Sequence, residues 1–385
     1  MRFLKRQIYL DHSATTYVKK EVLDEMLPYF NKEYGNASSS YYLGQTAKKA
    51  IEEARKKVAE YINSKPEEIY FTSGGSEADN LALFGIARAN KHKGNHIITS
   101  KIEHHAVLNS CKALEKEGFK VTYLEVDNEG KVSVDRIRKA ITKDTIIVSI
   151  MFANNEIGTI QDIEEIGKLC RFKGVIFHTD AVQAIGNIPI DVNKMNIDSL
   201  SMSAHKFYGP KGVGALYVRK SINFNPLIYG GHQERDKRAG TENTAGIVGM
   251  GKAIELAKNT IEEYNKHLQN LRDKLIQRLL QEIPDVKING SIDNRLPGNV
   301  NFSIKNIDGR SLLLMLEMEG LLLSSGSACT SNTTTHSHVL EAIGQDKDYL
   351  ACTIRITLGE QTTIDDIGYI LDKLKECIIK IKEVN

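Results

Sequence analysis

The sequence lacks the features that mark secreted and membrane-spanning proteins. Its five cysteines are an odd number and lie far apart in a chain of 385 residues, so they do not form a disulfide framework. No run of about 18 apolar residues occurs, which excludes an ordinary membrane-spanning helix. Residues 1–10 lack an apolar core with a small-residue cleavage site, so no secretory signal is expected. We therefore expect a protein of the reducing cytoplasm.

An excess of charge of either sign is also missing. The chain has 51 basic and 49 acidic residues, and the net charge of +2 gives no reason to expect nucleic acid or a membrane as partner. Its 41% hydrophobic and 26% charged content is typical of a globular protein. A chain of 385 residues exceeds what one core usually serves, which predicts one large domain and one smaller domain.

Strand and helix patterns alternate over residues 69–218, which predicts a mostly parallel sheet with helices on both faces. Strands are predicted at 69–72, 96–99, 121–126, 146–151, 175–179, 199–202 and 213–218. The last two have no helix between them, so one of them should be antiparallel. A long helix at 247–282 leads to a second unit, where strands are predicted at 299–303, 321–324 and 353–358, with a final helix at 363–382.

Residues 201–212 have the sequence SMSAHKFYGPKG. It joins two apolar runs and predicts a strand, a short polar loop and a second strand. Lys206 on that loop would reach a site at the end of a strand, although most lysines are solvated surface charges. Ligands of such sheets bind beyond the carboxyl ends of the strands.

Polar residues follow several of the other predicted strands. Asp180 follows strand 175–179 and would lie near Lys206, where it either keeps a ring nitrogen protonated or caps the next segment. His104 either stacks on a flat cofactor and moves protons or lines a helix start. Asn155 either joins the site or makes a turn.

A glycine-rich turn, residues 72–78, lies where a predicted strand leads into a predicted helix. The free N–H groups of the helix start would attract an anion near Gly75 and Ser76. The alternative is a tight turn with a serine N-cap. The spacing matches neither a P-loop nor a dinucleotide fingerprint.

Cys329 differs from the other cysteines because small residues surround it and no apolar periodicity includes it. We expect an exposed mobile loop there, with Cys329 either a nucleophile or an incidental surface cysteine. A zinc site with His336 and His338 fits no common spacing. Helical spacing with apolar neighbours predicts that three other cysteines are in the core, while Cys352 stays open: these three are Cys111, Cys170 and Cys377.

Arg355 lies in a predicted strand whose isoleucines, Ile354 and Ile356, share one face. Because side chains alternate along a strand, Arg355 points to the other face. There it either forks onto a carboxylate or is solvated.

Taken in order, these segments resemble the cysteine desulfurases of the NifS/IscS type, in the class V aminotransferase family of fold-type-I pyridoxal-phosphate (PLP) enzymes. The resemblance runs from DHSATT at 11–16 to RITLG at 355–359 and is most specific in 203–212 and in SSGSAC at 324–329. It implies an α/β fold in which a large domain, 15–258, has a mostly parallel seven-stranded sheet. Residues 1–14 and 259–385 would form a smaller α+β domain carrying the cysteine loop.

The resemblance also implies roles for individual residues. Lys206 would hold PLP covalently and act as base, His104 would stack on the ring and help proton transfer, and Cys329 would be the nucleophile. The remaining cofactor contacts would be Asp180 at the pyridinium nitrogen, Gln183 and Asn155 at the ring hydroxyl, Gly75, Ser76, Ser203 and His205 at the phosphate, and Thr241 from a second subunit. Asn36 and Arg355 would bind the substrate carboxylate, and no metal is expected.

The implied activity is conversion of L-cysteine to L-alanine, with a persulfide on Cys329 that passes to a sulfur acceptor. Such an acceptor, for example an iron–sulfur scaffold in a transient contact through Cys329, would serve cluster assembly or thiolation of tRNA or cofactors. The protein would be a homodimer. The alternatives are a selenocysteine lyase, another class V aminotransferase-like enzyme, or a non-enzymatic sulfur or metal carrier.

Four departures from the family pattern leave these chemical groups in place. Ala37 stands where proline is usual, and Ser76 stands where threonine is frequent. Residues 335–336 are Thr-His where Glu-Pro is common. Residues 359–361, Gly-Glu-Gln, replace a usual Gly-Arg-aromatic sequence. The last two changes, after the cysteine loop and near Arg355, bear on the choice of partner and on substrate affinity.

Overall fold

The computed structural model describes residues 6–325 and 336–384, so Cys329 and its predicted loop lie outside the described residues. The strands are β1 (Ile8–Tyr9), β2 (Ile69–Thr72), β3 (His96–Ser100), β4 (Lys120–Leu124), β5 (Thr145–Ser149), β6 (Ile176–Asp180), β7 (Ser199–Ser203), β8 (Gly214–Val218), β9 (Val286–Ile288), β10 (Asn299–Ile304), β11 (Leu321–Leu322) and β12 (Thr353–Thr357). The helices are α1 (Lys20–Met26), α2 (Pro28–Asn31), α3 (Tyr42–Tyr61), α4 (Gly75–Asn90), α5 (His105–Lys116), α6 (Val134–Ala140), α7 (Ile163–Lys173), α8 (Thr244–Glu282), α9 (Gly309–Met318), α10 (His338–Ala342), α11 (Lys347–Leu350) and α12 (Ile364–Val384).

The larger sheet has seven strands in the order β2-β8-β7-β6-β5-β3-β4. Strands β7, β6, β5, β3 and β4 pair in parallel, while β8 lies antiparallel between β2 and β7. The prediction of a mostly parallel seven-stranded sheet with one antiparallel strand is therefore confirmed. Residues 204–213 are too short a connection for a helical crossover, which is why β8 reverses direction.

The topology brings the carboxyl ends of six strands, β2 to β7, to one edge of this sheet. Strands β2 and β7 both run antiparallel to β8, so β2 points the same way as the parallel strands. The segments that follow β2 to β7 therefore leave from the same edge. This is the edge at which ligands of open α/β sheets bind.

A second apolar core surrounds a three-stranded sheet of order β12-β10-β9. It packs against the second half of α8, α9 and α12, and the N-terminal residues Ile8 and Leu10 join it. Helix α10 packs instead on the larger core through Val339, Leu340 and Ile343. The domain boundaries predicted above stay a prediction.

Several element limits differ from those predicted. The strand predicted at 121–126 is β4, Lys120–Leu124, and the one predicted at 146–151 is β5, Thr145–Ser149. Val126 beyond β4, and Ile150 and Met151 beyond β5, are apolar and buried in the connecting segments, so their apolarity extended the prediction too far. No helix among the described residues has the length and apolar character needed to cross a membrane.

Candidate active site

A cavity of about 640 Å³ opens beyond the edge where these strands end. Nearly all the described residues that the sequence predicts for the site line it: Gly75, Ser76, His104, Asn155, Asp180, Gln183, Ser203, His205, Lys206 and Arg355. Two do not. Asn36 is exposed in the turn before α3, where its Oδ1 accepts the Ser38 N–H at 2.9 Å. Thr241 is exposed in the segment before α8.

Lys206 ends a short 3₁₀ turn, Ala204–Lys206, that follows β7 directly. Its Nζ donates to the backbone carbonyl of Ser13, and to that of Ala14 at 2.8 Å. The N-terminal segment therefore holds the amine at the cavity wall. The predicted strand, loop and strand around Lys206 is confirmed, and Lys206 is not a solvated surface lysine.

Asp180 is the last residue of β6 and is 6% exposed. Burial raises the pKa of its carboxyl, while the neighbouring His104, the Val182 N–H and Lys206 oppose that shift. Its Oδ1 accepts the Val182 N–H at 2.9 Å. Asp180 therefore caps the turn that follows β6 and also lines the cavity. The capping interpretation is confirmed, and the role of Asp180 at a ring nitrogen stays a prediction.

His104 is the N-cap of α5, and its Nδ1 accepts the Ala106 N–H at 3.1 Å. Because Nδ1 is an acceptor there, the neutral ring carries its hydrogen on Nε2. Burial lowers the pKa of His104, and Asp180 opposes this shift. The helix-start interpretation is correct, and the same ring lines the cavity.

The start of α4 forms the other end of the cavity. Its N-cap is Gly74, with no side-chain cap, so the predicted serine N-cap is wrong. The first N–H groups of a helix have no partner within the helix, and they favour an anion together with the hydroxyls of Ser76 and Ser203. A Cβ at Gly75 would lie 2.7 Å from Val182 Cγ2, so only glycine leaves this wall undisturbed. His205 completes the group, with a pKa lowered to about 4 by burial.

Arg355 reaches the cavity from β12 and is 2% exposed, so the solvated interpretation is wrong. Its Nη2 donates to Asp11 Oδ1 at 2.7 Å and to Ser324 Oγ at 3.3 Å. Its Nη1 donates to the Asn155 carbonyl at 3.0 Å. The guanidinium thus joins the N-terminal segment, the segment after β5 and the residues that precede the cysteine loop. The alternative, contact with a carboxylate, is confirmed at Asp11, whereas binding of a substrate carboxylate by Arg355 stays a prediction.

Among the cavity residues without an assigned role from the sequence are Asp79 and Glu156, and His338 was considered only for the zinc site that fits no common spacing. Asp79 lies three residues after Ser76 in α4, a spacing that places both on one helix face and would have signalled it. Glu156 accepts the Ser337 hydroxyl at 2.5 Å, and the His338 ring contacts the Glu103 carbonyl through Nε2 at 3.0 Å. No local pattern predicts these last two contacts, because their partners are far apart in the chain.

The four described cysteines, Cys111, Cys170, Cys352 and Cys377, are buried thiols. The core prediction for Cys111, Cys170 and Cys377 is confirmed, and Cys352 joins them. Burial raises the pKa of Cys352 to about 12, so it is a poor thiolate nucleophile at neutral pH.

The cavity fits a flat anionic cofactor. The α4 start supplies anion-binding N–H groups, while Lys206 supplies an amine. Asp180 and the His104 ring lie at the buried end beside the sheet edge, where a ring nitrogen and a ring face would be placed. This donor set, with one lysine between a phosphate-type site and a buried carboxylate, suits PLP.

Comparison with known proteins agrees with this assignment. Residues 8–370 match the model of the aminotransferase class-V family. A cysteine desulfurase IscS of Clostridium botulinum is 57% identical over 384 residues, covering 99% of this chain and 97% of its own. A cysteine desulfurase IscS of Methanosarcina thermophila is 53% identical over 380 residues, covering 99% and 94%.

Solved structures give the same result. A NifS-like protein superposes with a TM-score of 0.91 at 39% identity, covering 97% of this chain and 99% of its own. A structure of SspA in complex with cysteine has a TM-score of 0.81 at 38% identity, covering 92% and 99%. The chain therefore belongs to the class-V aminotransferase family of PLP-dependent enzymes. Within that family it groups with the cysteine desulfurases of the NifS/IscS type.

Proposed function

We propose that this protein removes the sulfur of free L-cysteine, releases L-alanine and receives the sulfur as a persulfide on Cys329. The observation that carries the proposal is the meeting of Lys206, Asp180 and His104 in one cavity with Arg355. The first three suit PLP, and the guanidinium suits the carboxylate of an amino-acid substrate. Cys329 itself lies outside the described residues.

When bound, PLP supplies an electron sink for the negative charge that develops at the substrate Cα. Lys206 holds the cofactor through its amine and then accepts the Cα proton. Arg355 binds the substrate carboxylate and so fixes which bonds of Cα face the lysine. Burial lowers the pKa of His104, so its ring would line the face of a bound cofactor without adding a positive charge.

Sulfur transfer then needs one bond exchange. The Cys329 thiolate attacks the substrate sulfur, an S–S bond forms and the substrate C–S bond breaks. The electron pair of that bond stays with carbon and is protonated, so the hydrogen lost by the Cys329 thiol is balanced by one gained at the alanine methyl group. The sum is cysteine plus thiol giving alanine plus persulfide, and no external oxidant or reductant is required.

The segment that contains Cys329 starts and ends at the cavity. Before it, Ser324 pairs with Arg355 through the Arg355 N–H, at 2.7 Å from the Ser324 carbonyl. After it, Ser337 donates to Glu156 at 2.5 Å. Covalent geometry limits Cys329 to within about 14 Å of the Ser325 Cα, because four residues span at most ~3.6 Å each. Both anchors therefore support delivery of this thiol to the cavity.

We also propose a homodimer in which Thr241 reaches the phosphate site of the partner subunit. Large apolar side chains are exposed in one stretch near the N-terminus, and Tyr229 is exposed shortly before Thr241. The exposed residues of that stretch are Leu23, Leu27, Phe30, Tyr34, Tyr41 and Tyr42. A second copy would bury them. The acceptor of the persulfide is proposed to be a protein such as an iron–sulfur scaffold, in the cytoplasm.

The test is incubation of the PLP-loaded protein with L-cysteine, followed by measurement of alanine and of the mass of the peptide containing Cys329. Alanine together with one added sulfur atom on that peptide is the expected result. Cys329→Ser should abolish both, whereas the core variant Cys377→Ser should keep both. Alanine formation that survives Cys329→Ser would exclude the persulfide mechanism and favour an aminotransferase-like reaction. Lys206→Ala should lose the absorbance of bound PLP, which a mere sulfur carrier would never show.

A further inference from the structure

Two buried carboxyl groups lie side by side at the inner end of the cavity. Asp79 on α4 is 1% exposed and Asp180 at the end of β6 is 6% exposed. One carboxylate oxygen of each and a ring nitrogen of His104 all lie within 4.8 Å of one another. His104 and Asp180 belong to the proposed cofactor site, so this group of three is part of that site and not a separate metal centre. Asp79 has so far been given no role.

The surroundings of the two carboxyl groups differ. His104, the Val182 N–H and Lys206 all favour the ionised form of Asp180. Burial raises the pKa of Asp79 well above its ordinary value, and the charges of Asp180 and Glu103 raise it further. The group that opposes this shift at Asp79 is the neutral hydroxyl of Ser201. Asp79 therefore has a carboxylate as its charged neighbour, whereas Asp180 has the Lys206 amine and the His104 ring beside it.

His178 on β6 is the nearest basic group to Asp79, with its Nε2 3.8 Å from Asp79 Oδ1. It stays neutral, because complete burial lowers its pKa to about 3. Its two ring nitrogens already contact hydroxyls, Ser149 Oγ at 2.9 Å and Ser201 Oγ at 3.1 Å. Asp79 Oδ1 has no hydrogen-bond partner among the described residues. No described group donates a hydrogen bond to this oxygen, so no donor stabilises its ionised form.

Two carboxylates this close in a buried site cannot both ionise, and the proton goes to the one that lacks a cation. We propose that Asp180 carries the negative charge and Asp79 carries the proton, so that Asp79 is a positioning residue that keeps a single negative charge at the ring-nitrogen end of the cavity. This rests on the proposed role of Asp180 toward PLP. One carboxylate charge matches one protonated ring nitrogen, whereas two would also hold His104 and Lys206 in their charged forms.

Infrared spectroscopy of the PLP-loaded protein, with aspartate labelled by carbon-13 in the side-chain carboxyl, tests this directly. PLP has no carboxylic acid, so a protonated-carboxyl band comes from the protein. At neutral pH we expect such a band to shift with the label and to disappear in Asp79→Asn. Glu103→Gln is the control, because Glu103 is also buried but its band does not shift with labelled aspartate. If no protonated band shifts in the unmutated protein, or if Asp79→Asn removes ionised carboxylate instead, the proposal is overturned.

A second readout follows the absorbance of bound PLP against pH. Asp79→Asn replaces one neutral group by another of the same shape, so the midpoint pH of the absorbance change should move by less than about 0.5 pH unit. Asp180→Asn removes a charge at this distance and should move it by about 1–3 units. A shift of more than about one unit in Asp79→Asn would show that Asp79 is ionised. The labelled protein can be measured with and without PLP, so failure here is distinct from failure to form alanine.

Discussion

Glu234 offers the sharpest test of how the segment before Thr241 is held. Its carboxylate accepts hydrogen bonds from both terminal nitrogens of Arg55, at 2.7 and 2.8 Å, and from the Phe71 N–H at 2.9 Å. The two side chains are 3% and 4% exposed. The backbone needs this anchor, because Glu234, Arg235 and Asp236 all have positive φ, at 47°, 55° and 63°. Each such residue costs about 1 kcal/mol or more.

Glu234→Gln removes the charge but keeps the length of the side chain. Breaking one side of a buried ion pair costs about 3–5 kcal/mol, since the guanidinium of Arg55 stays buried without its counter-charge. Glu52→Gln is the matched control, because Glu52 contacts Arg55 Nε at 3.2 Å but its side chain is 54% exposed. An exposed pair contributes at most about 1 kcal/mol.

Urea unfolding of both variants and of the unmutated protein, monitored by circular dichroism, gives the comparison. We expect a large downward shift of the midpoint for Glu234→Gln and a small one for Glu52→Gln. Replacing both Arg55 and Glu234 by leucine should recover part of the loss, because no buried charge then remains. Equal small shifts in the two single variants would refute the argument that the buried pair holds this turn.

Two further substitutions have outcomes that can be measured directly. Thr241→Ala should speed the loss of PLP from the diluted enzyme, measured by gel filtration and absorbance. The control Thr260→Ala on α8 should not. Equal retention of PLP by both variants would contradict the proposal of a shared phosphate site. Gly167→Ala should lower the melting temperature, because its Cβ would lie 1.9 Å from the Met195 carbonyl oxygen. Gly368 lies on α12, and a Cβ there would meet no atom within 4 Å. Gly368→Ala should therefore raise the free energy of unfolding by about 0.5–1 kcal/mol.

The sequence predicted the sheet and much of the site for the same physical reason. Apolar runs that alternate with amphipathic helices require crossover connections, and these place the residues after each strand at one edge. From this rule alone, Lys206, Asp180 and His104 were predicted to lie at the same edge of the sheet. The alternatives weighed for His104 and Asp180 were not exclusive, because one side chain caps a turn and faces the cavity at once.

Contacts between distant single residues could not be predicted in this way. Asp11 and Arg355 are 344 positions apart, and Arg55 and Glu234 are 179 apart. Strand alternation correctly turned Arg355 away from its isoleucine neighbours, but it carried no information on the carboxylate that meets it. The serine N-cap alternative at α4 was wrong for a related reason. Several small residues in the turn could occupy the N-cap position, and in the structure Gly74 occupies it. The interpretation of the Cys329 loop as exposed and mobile stays a prediction.

Glu103, fully buried between β3 and α5, links the electrostatics of this site to stability. Burial raises the pKa of its carboxyl to about 8 from an ordinary value of 4.5, with opposition from its hydrogen bonds to Ser100 and the Met151 N–H. Both of those donors bind Oε1, at 2.6 and 3.0 Å, which leaves Oε2 for the proton. The folded state then binds one proton more than the unfolded state between these two pH values, so the free energy of unfolding falls as the pH rises through this window and levels off above about 8.

Glu103→Gln removes this titration, so its urea midpoint should fall less between pH 5 and pH 8 than that of the unmutated protein. Part of the fall should persist, since burial and neighbouring carboxylates raise the pKa of Asp79 in the same direction. Glu262→Gln, on the exposed side of α8, should follow the unmutated protein throughout. If Glu103→Gln and the unmutated protein lose stability in parallel across this window, Glu103 is ionised at neutral pH. The inner end of the cavity would then hold more negative charge than Lys206 balances.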